Sequence, residues 1–267
     1  MTRRRWRAPY GLTAASACVD GRPVRSLSAG RSSSAPEVVM LPGLGAPGYL
    51  APWALRTAAW TGVALLDLPG WRRGRAVSCP PTLDGVARAT ARWLEVTDRR
   101  GVVLVGHSTG AQAVLRAALQ VPDRVAGLVL AGPTFDPAAR SVLRVLRRAA
   151  STVPHEDPRE LLAVAPSYLA SGLVPLARFI GTALHDRPEE TTARLDLPVL
   201  VVTGRRDGFA PPSWARHLAR GAFARCVVIP GAHNAPFPHP DLADSAVHEF
   251  VSSLGSSDVE HRRPVAL

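Results

Sequence analysis

The pentapeptide Gly106-His107-Ser108-Thr109-Gly110 constrains the fold of this chain more than any other stretch, because of what flanks it. It has the pattern G-x-S-x-G and lies between an apolar run at 102–105 and a helix-like run at 111–120. A short strand, a tight turn and an amphipathic helix in this order predict a nucleophile elbow, which raises a serine hydroxyl above a sheet. A helix-capping serine after a glycine turn is the alternative, so other parts of the chain must decide between them.

Candidate partners for this serine follow two later strand-like runs. Asp207 comes after the apolar run at 197–204, and His233 comes after the run at 226–229. With the elbow, these loops resemble the α/β-hydrolase family from about residue 24 to 254, a family whose triad follows the order serine, acid, histidine. The resemblance implies Ser108 as nucleophile, His233 as base and Asp207 as the acid that orients the base. Asp136, which follows the strand-like run at 125–130, is a competing acid.

The same resemblance implies an oxyanion hole. An apolar run at 38–41 leads into Pro42-Gly43-Leu44-Gly45, where the family usually has His-Gly followed by an oxyanion-hole residue. The backbone N–H groups of Leu44 and Thr109 would then be the two donors. Pro42 replaces the usual histidine, and an ordinary Gly/Pro turn is the alternative interpretation.

Helix-like segments alternate with Val/Leu-rich runs, which predicts an α/β fold. We expect a mostly parallel sheet of the eight-stranded type, covered by helices on both faces. Between 136 and 195 the strand rhythm stops and prolines interrupt helical runs, so this insertion is predicted to be a helical cap over the active site. The predicted division is a flexible N-terminal arm at 1–18, a core at 19–135 and 196–254, the cap at 136–195, and a C-terminal tail at 255–267. Asp20-Gly21 predicts a hairpin at the start of the core.

The helical runs of the cap are largely apolar, which predicts an apolar substrate pocket. Tyr168 and Phe179 are its candidate lining residues. Trp71, which follows the turn Leu68-Pro69-Gly70, either lines the pocket or covers the core, and core cover is the favoured interpretation.

A few polar residues are candidates for roles near the site. His107 and His239 lie close enough to the motifs to contact the catalytic residues without reacting themselves. Within the cap, the polar exceptions are Arg178, His185 and Asp186.

The composition indicates which partners to expect. A chain of 267 residues that is 46% hydrophobic can form one domain with a sizeable core. The formal charge of +11 would ordinarily favour a nucleic-acid or membrane partner, but all 32 basic residues are arginine, which indicates a GC-rich genome. These arginines are scattered and lack interleaved aromatic residues, so neither nucleic acid nor membrane is predicted as a partner.

The three cysteines, Cys18, Cys79 and Cys226, are odd in number and far apart, which predicts neither a disulfide framework nor a zinc site. No metal or cofactor is expected, and reduced thiols fit a cytoplasmic location. The arginines at 3–5 resemble a twin-arginine export signal, but residues 8–19 are too short and polar for its apolar region.

The resulting hypothesis is a cytoplasmic, cofactor-free serine hydrolase, monomeric or homodimeric, that cleaves a small, mainly apolar ester, thioester or lactone through an acyl-serine. An acyltransferase, a biosynthetic cyclase and a carbon–carbon bond hydrolase remain alternatives, because all stabilise a similar oxyanion. A non-catalytic, ligand-binding member of the fold is a further alternative. The resemblance excludes dehalogenases and epoxide hydrolases, which carry aspartate at the position of Ser108, and lyases that need a lysine, which this chain lacks.

Overall fold

A computed structural model describes residues 6–7, 11–72, 76–220 and 224–257. Most of the predicted N-terminal arm before residue 11, and the predicted C-terminal tail beyond 257, lie outside the described residues.

Within the described residues, a nine-stranded sheet forms the centre of the fold. Its strands are β1 (Trp6–Arg7), β2 (Thr13–Val19), β3 (Arg22–Ala29), β4 (Val38–Leu41), β5 (Val63–Asp67), β6 (Val102–His107), β7 (Val125–Ala131), β8 (Val199–Gly204) and β9 (Ala224–Ile229). Their order across the sheet is β1-β2-β3-β5-β4-β6-β7-β8-β9. The pairs from β5 through β9 are parallel, and the pairs joining β1, β2, β3 and β5 are antiparallel. The predicted mostly parallel sheet is confirmed, with the two-residue β1 as an addition at its edge.

The helices cover both faces of this sheet. They are α1 (Ala51–Thr57), α2 (Leu83–Val96), α3 (Thr109–Gln120), α4 (Val142–Thr152), α5 (Pro158–Ser171), α6 (Leu173–Leu184), α7 (Pro188–Thr192), α8 (Pro212–Leu218) and α9 (Pro240–Ser257). One apolar core joins the sheet to α2, α3 and α8, and a second joins it to α1 and α9.

Burial on both faces explains why the central strands are continuous apolar runs. All four residues of β4 are buried. Side chains alternate along a strand, so Val39 and Leu41 belong to the core with α2 and α3, whereas Val38 and Met40 belong to the core with α1 and α9. This arrangement fixes the register of β4 and therefore the position of the loop that follows it.

The N-terminal boundary of the core differs from the prediction. The hairpin turns at Asp20-Gly21 as expected, but its first strand is β2, in which Thr13 pairs with Ser28. Residues 13–18 are therefore part of the sheet rather than of a flexible arm. The small residues of β2 have weak strand propensity, and pairing with β3 together with burial of Ala14 compensates for it.

Between β7 and β8 the chain forms α4 to α7, with no strand in residues 132–198, all of which are described. Ser141 and Asp157 cap α4 and α5 by accepting from backbone N–H groups. The predicted interruption at Pro166 is wrong, since α5 continues through it. In the described part of the chain no single helix is both long enough and apolar enough to cross a membrane. By length and composition only the pair α5 and α6 could do so together, and these helices are bent by 105° at their junction.

Candidate active site

Ser108 lies on a tight turn between β6 and α3. Its φ of 57° and ψ of −124° are unusual for a residue with a side chain, and they place the residue at the end of the strand immediately before the helix. A Cβ at Gly106 would lie 2.3 Å from the carbonyl oxygen of Gly110, and a Cβ at Gly110 would lie 2.6 Å from the carbonyl oxygen of Leu41. Only glycine fits at both positions, so the two glycines of the motif are required by the close packing of this turn.

The serine lies at one end of a line of two hydrogen bonds. The Ser108 hydroxyl is 2.8 Å from Nε2 of His233, and Nδ1 of His233 is 2.9 Å from Oδ2 of Asp207. The other carboxylate oxygen of Asp207 accepts from the backbone N–H groups of Phe209 and Ala210, each at 2.8 Å. These bonds hold the carboxylate in place, so that Nδ1–H of His233 donates to it and Nε2 is free to accept from the serine.

His233 and Asp207 shift each other's pKa values. Burial lowers the pKa of His233, but the Asp207 carboxylate outweighs burial, with further contributions from Glu156 and Glu160, and the pKa is raised. Burial would raise the pKa of Asp207, yet the charge and hydrogen bond of His233 hold it below its usual value. Asp207 is therefore ionised, and it stabilises the imidazolium form of His233.

The competing acid, Asp136, contacts an arginine instead of the histidine. Oδ2 of Asp136 accepts from the Arg148 guanidinium at 3.0 Å. Because Nδ1 of His233 is engaged by Asp207, the structure places Asp207 and not Asp136 beside the histidine.

The loop after β4 lies directly against the serine. A Cβ at Gly43 would lie 2.7 Å from Cβ of Ser108, so this loop can approach the turn only with glycine there. Leu44 follows with a φ of 45°, and its N–H donates to the Thr109 hydroxyl at 3.0 Å. Thr109 is the first residue of α3, where a backbone N–H has no acceptor within the helix. The two predicted oxyanion donors thus lie in adjoining segments, and the side chain of Thr109 occupies one of them.

A buried relay that sequence reasoning missed connects this loop to the histidine loop. The Gly43 N–H donates to the Tyr49 hydroxyl at 2.8 Å, and that hydroxyl is 2.7 Å from Nδ1 of His107. Nε2 of His107 is 2.9 Å from the backbone carbonyl of His233. A carbonyl can only accept, so Nε2 carries the hydrogen and Nδ1 accepts from Tyr49.

Burial lowers the pKa of His107 to about 3, which keeps the ring neutral and this direction of donation fixed. His107 was predicted as a supporting residue, and it contacts the backbone of His233 rather than its ring nitrogens. His239 instead lies before α9, where its N–H donates to the carbonyl of Ala235.

A cavity of about 310 Å³ opens above Ser108. Much of its wall is apolar and comes from the loops after β4, β7 and β8 and from the cap: Leu44, Phe135, Val145, Val153, Ile180 and Phe209. Tyr168 lines it as predicted.

Two of the predicted pocket residues are buried in the core instead. Phe179 is 1% exposed and Trp71 5% exposed, and their rings meet edge to face with centroids 6.1 Å apart. Successive side chains on a helix point about 100° apart, so Ile180 faces the cavity while its neighbour Phe179 packs towards α2 and α3. Trp71 lines a separate cavity together with Asp67. Trp71 therefore covers the core, which is the interpretation favoured from sequence, and the prediction of Phe179 as a pocket residue is wrong.

The cap also contributes two acidic side chains that the sequence did not single out. Oε1 of Glu156 accepts from the backbone N–H of His233 at 2.7 Å and from that of Asn234 at 3.2 Å. Glu160, in the first turn of α5, lines the cavity. Glu156 precedes the N-cap residue of that helix, so no helical spacing signalled the pair in the sequence.

Two of the polar cap residues singled out from sequence make contacts outside the cavity. Asp186 accepts from Arg116 at 2.6 Å, and Nδ1 of His185 is 2.7 Å from the carbonyl oxygen of Gly181. In the described part of the chain, no group of three or more His, Cys, Asp or Glu side chains is placed to hold a metal ion.

A family model described as "Alpha/beta hydrolase family" matches residues 38–246. The chain belongs to the α/β-hydrolase family. The resemblance predicted from the three motifs is confirmed by this match, which spans the serine turn, the cap and the loops that carry Asp207 and His233.

Relatives of this α/β hydrolase have named activities. It is 29% identical to the pimeloyl-[acyl-carrier protein] methyl ester esterase of Edwardsiella ictaluri, over 74% of this chain and 90% of that protein. It is 26% identical to 2-hydroxy-6-oxononadienedioate/2-hydroxy-6-oxononatrienedioate hydrolase 1 of Dechloromonas aromatica, over 82% of this chain and 88% of that one. Among solved structures, a thermophilic esterase from Thermogutta terrifontis superposes with a TM-score of 0.72 at 20% identity, covering 95% of this chain and 99% of that chain.

Proposed function

We propose that this α/β hydrolase cleaves small carboxylic esters through an acyl-serine intermediate. The observation that carries the proposal is the line of hydrogen bonds from Ser108 through His233 to Asp207, at the base of a largely apolar cavity. A serine hydroxyl attacks a carbonyl at neutral pH only with an adjacent base, and this geometry supplies one.

In the first half of the reaction, the Ser108 oxygen attacks the ester carbonyl carbon while its proton passes to Nε2 of His233. Asp207 stabilises the imidazolium that forms. The leaving alcohol then takes the proton from His233 as the bond between carbonyl carbon and alcohol oxygen breaks. In the second half, water loses a proton to His233 and attacks the acyl-serine. The bond between the acyl carbon and the Ser108 oxygen then breaks, His233 returns the proton to that oxygen, and the acid is released.

The oxyanion formed in both halves is assigned to the backbone N–H groups of Thr109 and Leu44. The Leu44 N–H donates to the Thr109 hydroxyl in the ligand-free protein. Binding of the oxyanion therefore requires the Thr109 hydroxyl to rotate away. The Leu44 N–H then donates to the charged oxyanion instead of to the neutral hydroxyl.

The cap, residues 136–195, is proposed to select the substrate. It contributes Tyr168 and Ile180 to the cavity wall, while Ser108, Asp207 and His233 all lie outside it. Changes to Tyr168 or Ile180 can thus alter which acyl or alcohol groups fit, with little effect on proton transfer.

The relatives support hydrolysis and provide one second candidate. The names of the Edwardsiella ictaluri esterase and the Thermogutta terrifontis structure describe ester cleavage. The name of the Dechloromonas aromatica relative describes a hydrolase of an oxo-dienedioate, which favours carbon–carbon bond hydrolysis as the second candidate. Both reactions would use the same nucleophile and oxyanion donors.

We further infer that the protein works in the cytoplasm as a monomer or homodimer, with a small-molecule substrate and without a nucleic-acid or membrane partner. The three cysteines support this location, since all are free thiols and Cys79 is buried.

The proposed function is tested with p-nitrophenyl esters of increasing acyl length, assayed with the wild-type protein and Ser108→Ala. The wild type is expected to hydrolyse the short and medium esters, and Ser108→Ala to lose this activity. Added alcohol or thiol acceptors distinguish transfer from hydrolysis, because an acyltransferase would form the new ester or thioester in preference to the free acid. Full activity in Ser108→Ala would contradict the proposal.

A further inference from the structure

Glu160 stands out among the residues around the cavity because one oxygen of its side chain is buried without a partner. It lies in the first turn of α5 and has 6% of its surface exposed. Within the described part of the chain, Oε2 makes no hydrogen bond. Buried polar atoms are nearly always paired, so an unpaired carboxyl oxygen in a residue that lines the cavity points to a partner supplied by a ligand.

The neighbouring acid already has its partners. Glu156 accepts from the backbone N–H groups of His233 and Asn234, and it thereby holds the histidine loop against the cap. In the described part of the chain no backbone N–H donates to the Glu160 side chain, which lines the cavity together with Tyr49 and Tyr168 and is influenced by the Asn234 side chain.

The surroundings of Glu160 disfavour its negative charge, and a cation beside the carboxyl would offset this effect. Burial raises the pKa of Glu160 to about 8, and the carboxylate of Glu156 contributes to the shift. His233 and the Asn234 side chain act in the opposite direction. No arginine is among the described lining residues. In the described cavity wall, His233 is therefore the group that can neutralise an ionised Glu160.

We propose that Glu160 recognises a protonated amine on the ester substrate, with the ammonium N–H donating to Oε2. Resting on the proposed esterase function, this assignment narrows the substrate class to small amino esters. The apolar wall formed by Leu44, Ile180 and Phe209 would hold the carbon chain between the ester and the amine. An ammonium group beside Glu160 would favour its ionised form, whereas a substrate carboxylate would gain no ion pair there and a plain alkyl chain would leave Oε2 unpaired.

The test compares esters of matched size. Methyl 6-(dimethylamino)hexanoate carries the amine on the acyl side, and methyl 7-methyloctanoate is its carbon isostere. Methyl 6-hydroxyhexanoate and monomethyl heptanedioate replace the amine with a neutral donor and with a carboxylate. A second pair, 5-(dimethylamino)pentyl acetate and 6-methylheptyl acetate, places the amine on the alcohol side. The tertiary amine keeps one N–H when protonated and cannot capture the acyl group.

We expect one of the two amino esters to exceed its carbon isostere by about 10- to 100-fold in kcat/KM, the range for a hydrogen bond between charged groups. Glu160→Gln should remove most of this ratio. Glu190→Gln, an exposed cap residue paired with Arg187, is the matched control and should retain it. Equal or better hydrolysis of the isostere in both pairs would overturn the assignment. So would hydrolysis of the hydroxy ester or the heptanedioate monoester that equals that of the better amino ester, or an unchanged ratio in Glu160→Gln.

The comparison among wild-type substrates does not depend on the variant, so it decides the matter even if Glu160→Gln fails to fold. Hydrolysis of alkyl esters without a preference for amines would reject the role of Glu160 alone. Failure to hydrolyse any of these esters, with no labelling of Ser108 by a fluorophosphonate, would instead reject the proposed function.

Discussion

The Tyr49 hydroxyl donates a hydrogen bond of 2.7 Å to Nδ1 of His107, and this buried pair joins two loops of the active site. On one side the same hydroxyl accepts from the Gly43 N–H, and on the other the His107 ring donates to the carbonyl of His233. The loop next to the proposed oxyanion donor and the loop of the proposed base therefore share one hydrogen-bonded connection.

Tyr49→Phe is expected to lower the free energy of unfolding by about 1–3 kcal/mol, because it leaves the Gly43 N–H and the His107 ring buried without their partner. Urea denaturation measures the change, and kcat/KM for a p-nitrophenyl ester should fall as well. Tyr168→Phe is the matched control for stability, since no hydrogen bond joins the Tyr168 hydroxyl to the described residues. Equal stability of the two variants would contradict the relay.

The acid of the triad is tested by comparing two aspartates. Asp207→Asn should lower kcat by up to about 10⁴-fold, because an amide in place of the carboxylate favours the wrong tautomer of His233. Asp136→Asn should cause a much smaller loss, since Asp136 pairs with Arg148. Steady-state kinetics on one ester decides between them, and a severe loss in Asp136→Asn with a silent Asp207→Asn would show that the acid is misassigned.

The pH dependence of the reaction should report the effect of the Glu156 carboxylate on the pKa of His233. The base works only when neutral, and the carboxylate of Glu156 helps to raise the pKa of His233. Glu156→Gln removes this charge but keeps an oxygen that can accept from the His233 N–H. The pKa should fall, and the acidic limb of the profile of kcat/KM against pH should move to lower pH. Glu190→Gln serves as the control, and a limb that stays in place or moves upward would refute this coupling.

Two aromatic residues of the cap should behave differently when truncated. Tyr168→Ala enlarges the cavity and should change the ranking of ester chain lengths in kcat/KM. Phe179→Ala removes a buried core ring and should lower the free energy of unfolding by about 3–5 kcal/mol, with less effect on the ranking. An unchanged ranking in Tyr168→Ala would remove the cap from substrate selection.

The proximity of Ser108, Asp207 and His233 could be anticipated from sequence because each follows a strand of a parallel sheet. The carboxyl ends of β6, β8 and β9 meet at one edge, so three residues far apart in the chain converge there. The strand boundaries were also predictable where both faces are buried, as at Val38–Leu41, since such runs are uniformly apolar.

What could not be predicted depends on how separate elements pack together. The contact of Glu156 with the backbone of His233 exists only because the segment between α4 and α5 lies against the loop after β9. The choice between Phe179 and Ile180 as a pocket residue depends on the rotation of α6, which an almost wholly apolar helix does not reveal. Residues 13–18 were assigned to an arm because small residues carry little strand signal without their partner strand.

The central claim is that Ser108 is the nucleophile. A fluorophosphonate probe applied to the intact protein, followed by peptide mass spectrometry, tests it most directly. One equivalent of probe should be found on the peptide that contains Ser108, and labelling should disappear in both Ser108→Ala and His233→Ala while Tyr168→Ala retains it. Labelling of a different serine in the wild-type protein, or undiminished labelling of Ser108→Ala, would contradict the claim.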